Sequence, residues 1–118
     1  MRHQNARKKL NLKPSHRRAL IRNQAIHVIN HGRLRSTKAR IREVKRFVER
    51  LVTLARVGNT FNARRRVKAL MPYSEEAILK LFKEIAPKYV NRPGGYMRVI
   101  NLGRRTSDTA DVAMLEWV

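Results

Sequence analysis

The chain contains no cysteine, which excludes disulfide bonds and thiolate metal sites. It has no continuous apolar run of about 18 residues, so no transmembrane helix is predicted. Its basic N-terminus lacks the apolar segment of a secretory signal. These absences predict a cytoplasmic protein, and a length of 118 residues is typical of a single domain.

Acidic residues are missing from the first third of the chain. The whole sequence carries 28 Lys plus Arg against 8 Asp plus Glu, a net charge of +20. Residues 1–42 hold 13 of these cations, and the first acidic residue is Glu43. A folded protein with so much like charge repels itself unless a polyanion compensates it. Nucleic acid is the partner that this distribution favours, and an anionic membrane surface is the alternative.

The beginning of the chain is predicted to form an arm, a helix and a short strand. Residues 1–14 show no apolar periodicity, which predicts an extended basic arm ahead of a single domain at residues 15–118. Ser15 is the predicted N-cap of the first helix, and Gly32 is its predicted C-cap. The segment RLRST that follows predicts a short strand.

Three further helices are predicted from apolar residues at helical spacing. Their predicted boundaries are Ser36 or Thr37 to Gly58, Asn59 or Thr60 to Met71, and Ser74 to Pro87. Their predicted buried faces are Ile41, Val44, Phe47, Val48, Leu51, Leu54 and Ala55; then Phe61, Val67 and Leu70; then Ile78, Leu81, Phe82 and Ile85.

The end of the chain predicts an antiparallel hairpin. YMRVINL and VAMLEWV have strand character, and the loop GRRTSDTAD separates them. The predicted fold is therefore α+β with two layers, in the order helix, short strand, three helices and two antiparallel strands.

The predicted helices differ in how their charges are balanced. In the fourth helix, Glu76, Lys80, Glu84 and Lys88 follow one another at i,i+4 spacing and are predicted to pair. The first helix carries arginines in its first two turns and no acid, which is unfavourable next to the positive end of the helix dipole. An external anion would relieve this arrangement.

Catalytic and metal chemistry are not predicted. His27 and His31 are at i,i+4 spacing, but a metal site usually needs a third ligand and a hydrogen-bond acceptor that orients the ligating histidines. A strongly positive field would also repel a divalent cation. The acids form no catalytic pair, and the spacing of a phosphate-binding loop is absent. We therefore expect no enzyme activity, no cofactor, no metal and no small-molecule substrate.

The sequence favours nucleic-acid binding by charge and shape. Aromatic residues are few, and no RRM, zinc-finger or strong helix-turn-helix pattern is present. Tyr96 lies between Arg92 and Arg98 and could stack on a base or pack in the sheet. Composition alone does not separate RNA from DNA, and a nucleoid-type binder of B-form DNA is the alternative.

Several motifs, in order, resemble the bacterial large-subunit ribosomal protein seventeen (L-seventeen) family. They are MRH, RKKLN, SHRRALIRNQ, HGRLRST, LFKEIAPKY, RPGGYMR, RRTSD and MLEWV, and RPGGYMR is the most specific. Three places depart from the family pattern: Pro14, Met97 where Thr is usual, and the loop TSDTAD, which has less glycine.

The resemblance implies a non-catalytic structural protein of the large ribosomal subunit that binds 23S-type rRNA. It implies a position on the solvent side near the peptide exit region, with neighbouring large-subunit proteins as partners and no membrane contact. Resemblance and charge together predict these RNA-binding residues: Arg2, His3, Arg7, Lys8, Lys9, Lys13, His16, Arg17, Arg18, Arg22, Asn23, Arg33, Arg35, Thr37, Lys38, Arg92, Tyr96, Arg98, Arg104 and Arg105.

Overall fold

The computed structural model describes His3 and residues 8–118, so the predicted contacts Arg2 and Arg7 lie outside the described residues. The elements are α1 (Pro14–His31), β1 (Arg33–Thr37), α2 (Lys38–Ala55), α3 (Phe61–Leu70), α4 (Glu75–Lys80), a π-helical turn (Leu81–Ile85), a 3-10 turn (Ala86–Tyr89), β2 (Met97–Arg104) and β3 (Asp111–Trp117). This confirms the predicted α+β class and the predicted element order. No helix in this part of the chain is long and apolar enough to cross a membrane.

The three strands form one antiparallel sheet in the order β1-β3-β2. The predicted hairpin of β2 and β3 is confirmed, and the short strand β1 pairs with the other side of β3. Leu34, Leu115 and Val99 lie side by side across the sheet and contribute to the core. Since side chains alternate along a strand, their neighbours Arg33, Arg98 and Glu116 lie on the opposite face.

Helix α2 carries the centre of the core. Its residues Ile41, Val44, Val48 and Leu51 are fully buried, and the helix packs against α1, α3 and all three strands. The predicted apolar stripe of this helix is confirmed. The structure is therefore two-layered, with the helices on one face of a small sheet.

The helix ends follow local sequence rules with one exception. Gly32 caps α1 with a left-handed φ of 82°, as predicted. The hydroxyls of Thr60 and Ser74 accept hydrogen bonds from the N–H groups of Ala63 and Ala77. The prediction of Ser15 as the α1 cap was wrong, because Pro14 begins the helix. Proline is favoured at a first helical position, where no backbone N–H is required.

Two more predicted boundaries differ in detail. Helix α2 ends at Ala55, before the predicted stop at Gly58, and Thr37 precedes it without a side-chain capping bond. The predicted arm is not extended throughout its described part, because the chain turns at Lys9–Leu12, where the Leu12 N–H donates to the Lys9 carbonyl at 3.3 Å.

Phe61 was predicted to face the core, and this was wrong: its side chain is 70% exposed. Thr60 is the N-cap, so Phe61 is the first helical residue. Ala63 and Val67 form the buried side of α3. Since successive helical residues differ by about 100°, Phe61 points about 200° away from Ala63.

The fourth helical segment also departs from its prediction. Pro87 does not end it, because the chain continues through the 3-10 turn, in whose first turn a proline is tolerated. None of the predicted i,i+4 ion pairs is present among the described residues: Lys80 Nζ instead donates to the Asn30 carbonyl at 2.8 Å, and Glu75 pairs with Lys68 at 2.8 Å. The wider π-helical turn rotates the residues after Lys80 relative to those before it, so the i,i+4 spacing of an α-helix does not apply there.

Candidate nucleic-acid interface

A basic groove lies between the start of α1 and the middle of α2. It has a volume of about 510 Å³ and is called the α1–α2 groove below. Seven cations and one acid line it together with four apolar residues: Lys8, Lys9, Arg17, Arg18, Arg22, Arg46 and Arg50; Glu43; and Pro14, Ile21, Phe47 and Leu70. The fold thus gathers five predicted RNA-binding residues into one concave surface. Low-dielectric apolar walls strengthen the field of such a surface.

Two arginines of this groove are positioned by neighbouring groups. Arg17 Nη1 donates to the Lys9 carbonyl at 3.5 Å, which joins α1 to the chain before it. Arg22 lies 5.6 Å from the centre of the Tyr73 ring, and its Nη1 donates to the Tyr73 hydroxyl at 3.5 Å. These contacts already restrict the two side chains, so less conformational freedom is lost when an anion binds.

Glu43, the first acid of the sequence, is only 7% exposed and points into the structure. Its Oε1 accepts a hydrogen bond from the Lys8 backbone N–H at 3.1 Å and lies 3.6 Å from Arg46 Nη1. The carboxylate therefore attaches the chain before α1 to helix α2. A buried carboxylate needs such donors, because burial without partners is costly.

A second basic groove continues along α2. This α2–β2 groove has a volume of about 480 Å³ and is lined by Lys38, Arg42, Lys45, Arg46, Glu49, Val99 and Asn101. Arg46 lines both grooves, so they adjoin each other. The Oε1 of Glu49 accepts a hydrogen bond from the Met97 N–H at 3.3 Å, which ties α2 to β2. Both acids of α2 thus bind the backbone of neighbouring segments.

The outer face of the sheet presents a second group of predicted residues. Arg33 and Arg98 lie on either side of Glu116 in the strand register. Glu116 is 8% exposed; its Oε1 is 2.6 Å from Arg98 Nε, and its Oε2 is 3.5 Å from Arg33 Nε. Arg35, opposite Met114, is exposed on the same face. The glutamate fixes two guanidinium groups and neutralises part of their charge.

The hairpin tip holds its arginines in ion pairs. Arg105 donates from Nε and Nη2 to the two carboxylate oxygens of Asp108, at 2.9 and 2.7 Å. Asp108 also accepts from the Ala110 N–H, and these bonds, that of Arg105 foremost, lower the pKa of Asp108 to about 2. Arg104 lies 3.7 Å from Asp111. Arg104 and Arg105 are therefore present as partly neutralised pairs.

Tyr96 is buried, with 1% of its surface exposed, so its ring is not available to stack on a base. Of the two alternatives, the structure has the tyrosine in the core. Its hydroxyl accepts a bond from Arg56 Nη1 at 3.3 Å and lies 3.3 Å from Thr53 Oγ1. Gly95, directly before it, has a left-handed φ of 62°, a conformation that glycine adopts without strain.

The other predicted residues are scattered. His3, Lys13, His16, Asn23 and Arg92 are exposed, and none of them lines either groove. Thr37 is half-buried at the start of α2, whereas Lys38 lines the α2–β2 groove.

The His27 and His31 rings are 4.6 Å apart. Within the part of the chain that the structure describes, no group of three or more His, Asp or Glu residues could hold a metal ion. The pair therefore lacks the third protein ligand that a metal site usually requires.

Residues 20–118 match the family model described as Ribosomal protein L17. The chain belongs to this family. A Neorickettsia sennetsu protein named large ribosomal subunit protein bL17 is 39% identical over 118 residues, and the alignment covers all of both chains. Proteins of the same name from Nitratidesulfovibrio vulgaris and Borrelia hermsii are each 44% identical to this chain. Their alignments cover 99% and 93% of this chain and 87% and 88% of theirs.

Membership of the Ribosomal protein L17 family makes this chain a structural protein of the ribosome in the cytoplasm, and not an enzyme. This confirms the resemblance found in the sequence motifs. The family match begins within α1, whereas the Neorickettsia sennetsu alignment also includes the basic residues that precede it.

Of the five cations that α2 contributes to the two grooves, sequence reasoning found Lys38 and missed Arg42, Lys45, Arg46 and Arg50. Glu43 and Glu49 lie among them in the sequence and partly offset their charge. Helical spacing could have found three of them, because Arg42, Lys45 and Arg46 share one side of the helix with Lys38. Spacing does not reveal that Glu43 and Glu49 accept hydrogen bonds from distant backbone N–H groups, because these contacts depend on the tertiary structure.

Proposed function

We propose that the protein is a structural constituent of the large ribosomal subunit and binds 23S-type rRNA by charge neutralisation and shape. The subunit is supported by relatives that carry the name large ribosomal subunit protein bL17. The observation that carries RNA binding is the α1–α2 groove, where seven cations surround one buried acid.

The groove suits a crowded phosphate backbone. Lys and Arg side chains that contact phosphates release condensed counterions, and this release drives association. Arg17, Arg18 and Arg22 lie in the first turns of α1, which has no acid in its first turn. Phosphate near this helix end would relieve the repulsion between the cations and the helix dipole. Arginine also offers a planar fork that binds two phosphate oxygens at once.

Residues 1–14 form the remaining part of the proposal, as a basic arm that contacts rRNA. Lys8 and Lys9 line the groove, so the arm would lead from it along the RNA. The proposed location is the solvent side near the peptide exit region, with neighbouring large-subunit proteins as partners.

The test is sedimentation of the tagged protein from a cell lysate at low magnesium, where the ribosomal subunits separate. We expect stoichiometric migration with the large subunit that survives a moderate salt wash. Migration with DNA, or loss from the large subunit on washing, would contradict the proposal.

A pair of matched double variants then tests the groove. Arg18→Gln/Arg50→Gln removes two exposed cations of the α1–α2 groove, and Lys83→Gln/Lys88→Gln removes two exposed cations of the fourth helical segment. The groove variant is expected to wash off at lower salt than the wild type, and the control variant at unchanged salt.

A further inference from the structure

Helix α3 presents an exposed aromatic and basic surface that neither groove includes. Phe61, Arg64, Arg65 and Lys68 follow the i, i+3, i+4, i+7 pattern, so they share one side of the helix. All four are exposed, and the other side of α3 packs on α2. This set of four residues is called the α3 outer stripe below.

The exposure of Phe61 is fixed by the helix register. Thr60 caps α3 through its 3.2 Å bond to the Ala63 N–H, and Ala63 and Val67 are buried. Rotating α3 to cover Phe61 would expose those buried residues. Val57, 77% exposed, precedes the same helix and adds apolar surface near its start.

The charge around Phe61 is entirely positive in the sequence. Residues 50–74 hold six cations and no acid, which makes them a second acid-free segment after residues 1–42. Lys68 pairs with Glu75 at 2.8 Å. In the described part of the chain, no acid lies within ion-pair distance of Arg64 or Arg65.

An exposed phenylalanine among arginines suits an unpaired nucleotide. Aromatic rings stack on splayed bases, and adjacent cations contact the flanking phosphates. A protein partner that buried Phe61 would also have to compensate Arg64 and Arg65 with acids of its own. In a particle built on rRNA, phosphate is the more abundant counter-charge.

Phe61, at the start of the stripe, is separated from the α1–α2 groove along the axis of α3. Leu70 at the end of the helix lines the groove, and Phe61 is its first residue. Nine helical residues span about 13 Å. The two surfaces can therefore contact different RNA segments at the same time.

We propose that the α3 outer stripe binds a second rRNA segment, with an unpaired base stacked on Phe61 and phosphates on Arg64 and Arg65. This inference rests on the proposed function, because it takes the ribosomal large subunit as the site of action. It adds a second contact through which the protein would join two RNA segments.

Photo-crosslinking within purified large subunits tests this directly. A photoreactive p-benzoylphenylalanine replaces Phe61. A second variant carries it at Arg18, where it reports on the α1–α2 groove, and a third carries it at Leu79, exposed on α4, as the control position outside both surfaces. Position 61 is expected to form an adduct with rRNA. An adduct with protein alone, or none, would overturn the inference. Adducts with rRNA from position 18 but not 61 would overturn it and leave the proposed function intact, whereas failure to enter the subunit would count against both.

Affinity for a 23S-type rRNA transcript gives a second readout that needs no photoreactive group. Phe61→Leu is expected to weaken binding about five- to 140-fold, which is the range for loss of one stacked base. Arg64→Gln/Arg65→Gln is expected to reduce the salt dependence by about two phosphate contacts. Wild-type behaviour of both variants, with the Lys83→Gln/Lys88→Gln control unchanged, would refute the inference.

Discussion

The salt dependence of the proposed rRNA binding is the most direct consequence of the two adjoining grooves. Together they hold ten cations and two acids, a net charge of +8. Each neutralised phosphate contributes about −0.7 to −0.9 to the slope of log K against log salt. If this net charge is matched by phosphates, we expect the grooves alone to contribute a slope of about −6 to −7.

The Arg18→Gln/Arg50→Gln variant isolates two of these contacts. The substitutions lie on different helices at exposed positions, so the fold should be retained. Two lost contacts reduce the slope by about 1.4 to 1.8. Since counterion release disappears toward 1 M salt, the variant should bind about 25- to 60-fold more weakly than wild type at 0.1 M and similarly near 1 M.

The assay is filter binding of a 23S-type rRNA transcript across a monovalent salt series. The Lys83→Gln/Lys88→Gln variant has the same net charge as the groove variant and serves as its control. A wild-type slope near −2 would refute the assignment of the grooves. A loss of affinity that is equal at all salt concentrations would show that the groove variant acts through structure and not through ionic contacts.

Three smaller perturbations test the contacts that organise the fold. Tyr96→Phe removes the buried hydroxyl and should lower the free energy of unfolding by about 1 kcal/mol in urea titration, with rRNA affinity unchanged. Lys80→Met removes the bond to the Asn30 carbonyl near the end of α1 and should cost about 1 kcal/mol in the same titration. Because bonding lowers the pKa of Asp108 from 3.8 to about 2, its contribution to stability is complete above pH 4 and lost as pH falls toward 2. Asp108→Asn should remove that part of the pH dependence of thermal unfolding.

The parts of the fold that could be predicted depend on local sequence. The Ser74 cap, the Gly32 cap and the apolar stripe of α2 each follow from residues within one or two helical turns. The hairpin follows from two strands joined by a short loop. The pairing of β1 with β3 joins residues about 80 positions apart, and the predicted order of elements did not specify it.

The site was harder to predict because charge balance is a tertiary property. Glu43 and Glu49 reduce the apparent charge of α2 when residues are counted along the sequence. In the structure they bind the backbone N–H groups of Lys8 and Met97. Phe61 is a different case: at about 100° per residue it lies about 180° from Leu70, so helical spacing itself places it opposite the predicted buried side.

Five of the eight acids thus have structural positions that leave the surplus of cations at the surface. Glu43, Glu49 and Glu116 join segments distant in sequence, and Asp108 and Asp111 hold arginines of the hairpin. Glu43 and Glu49 offset only two of the ten cations that line the grooves. A net charge of +20 is costly for the isolated chain and favourable next to a polyanion. Folding and the proposed RNA binding are therefore linked: the arrangement that lets the chain fold also leaves its most cationic surfaces open.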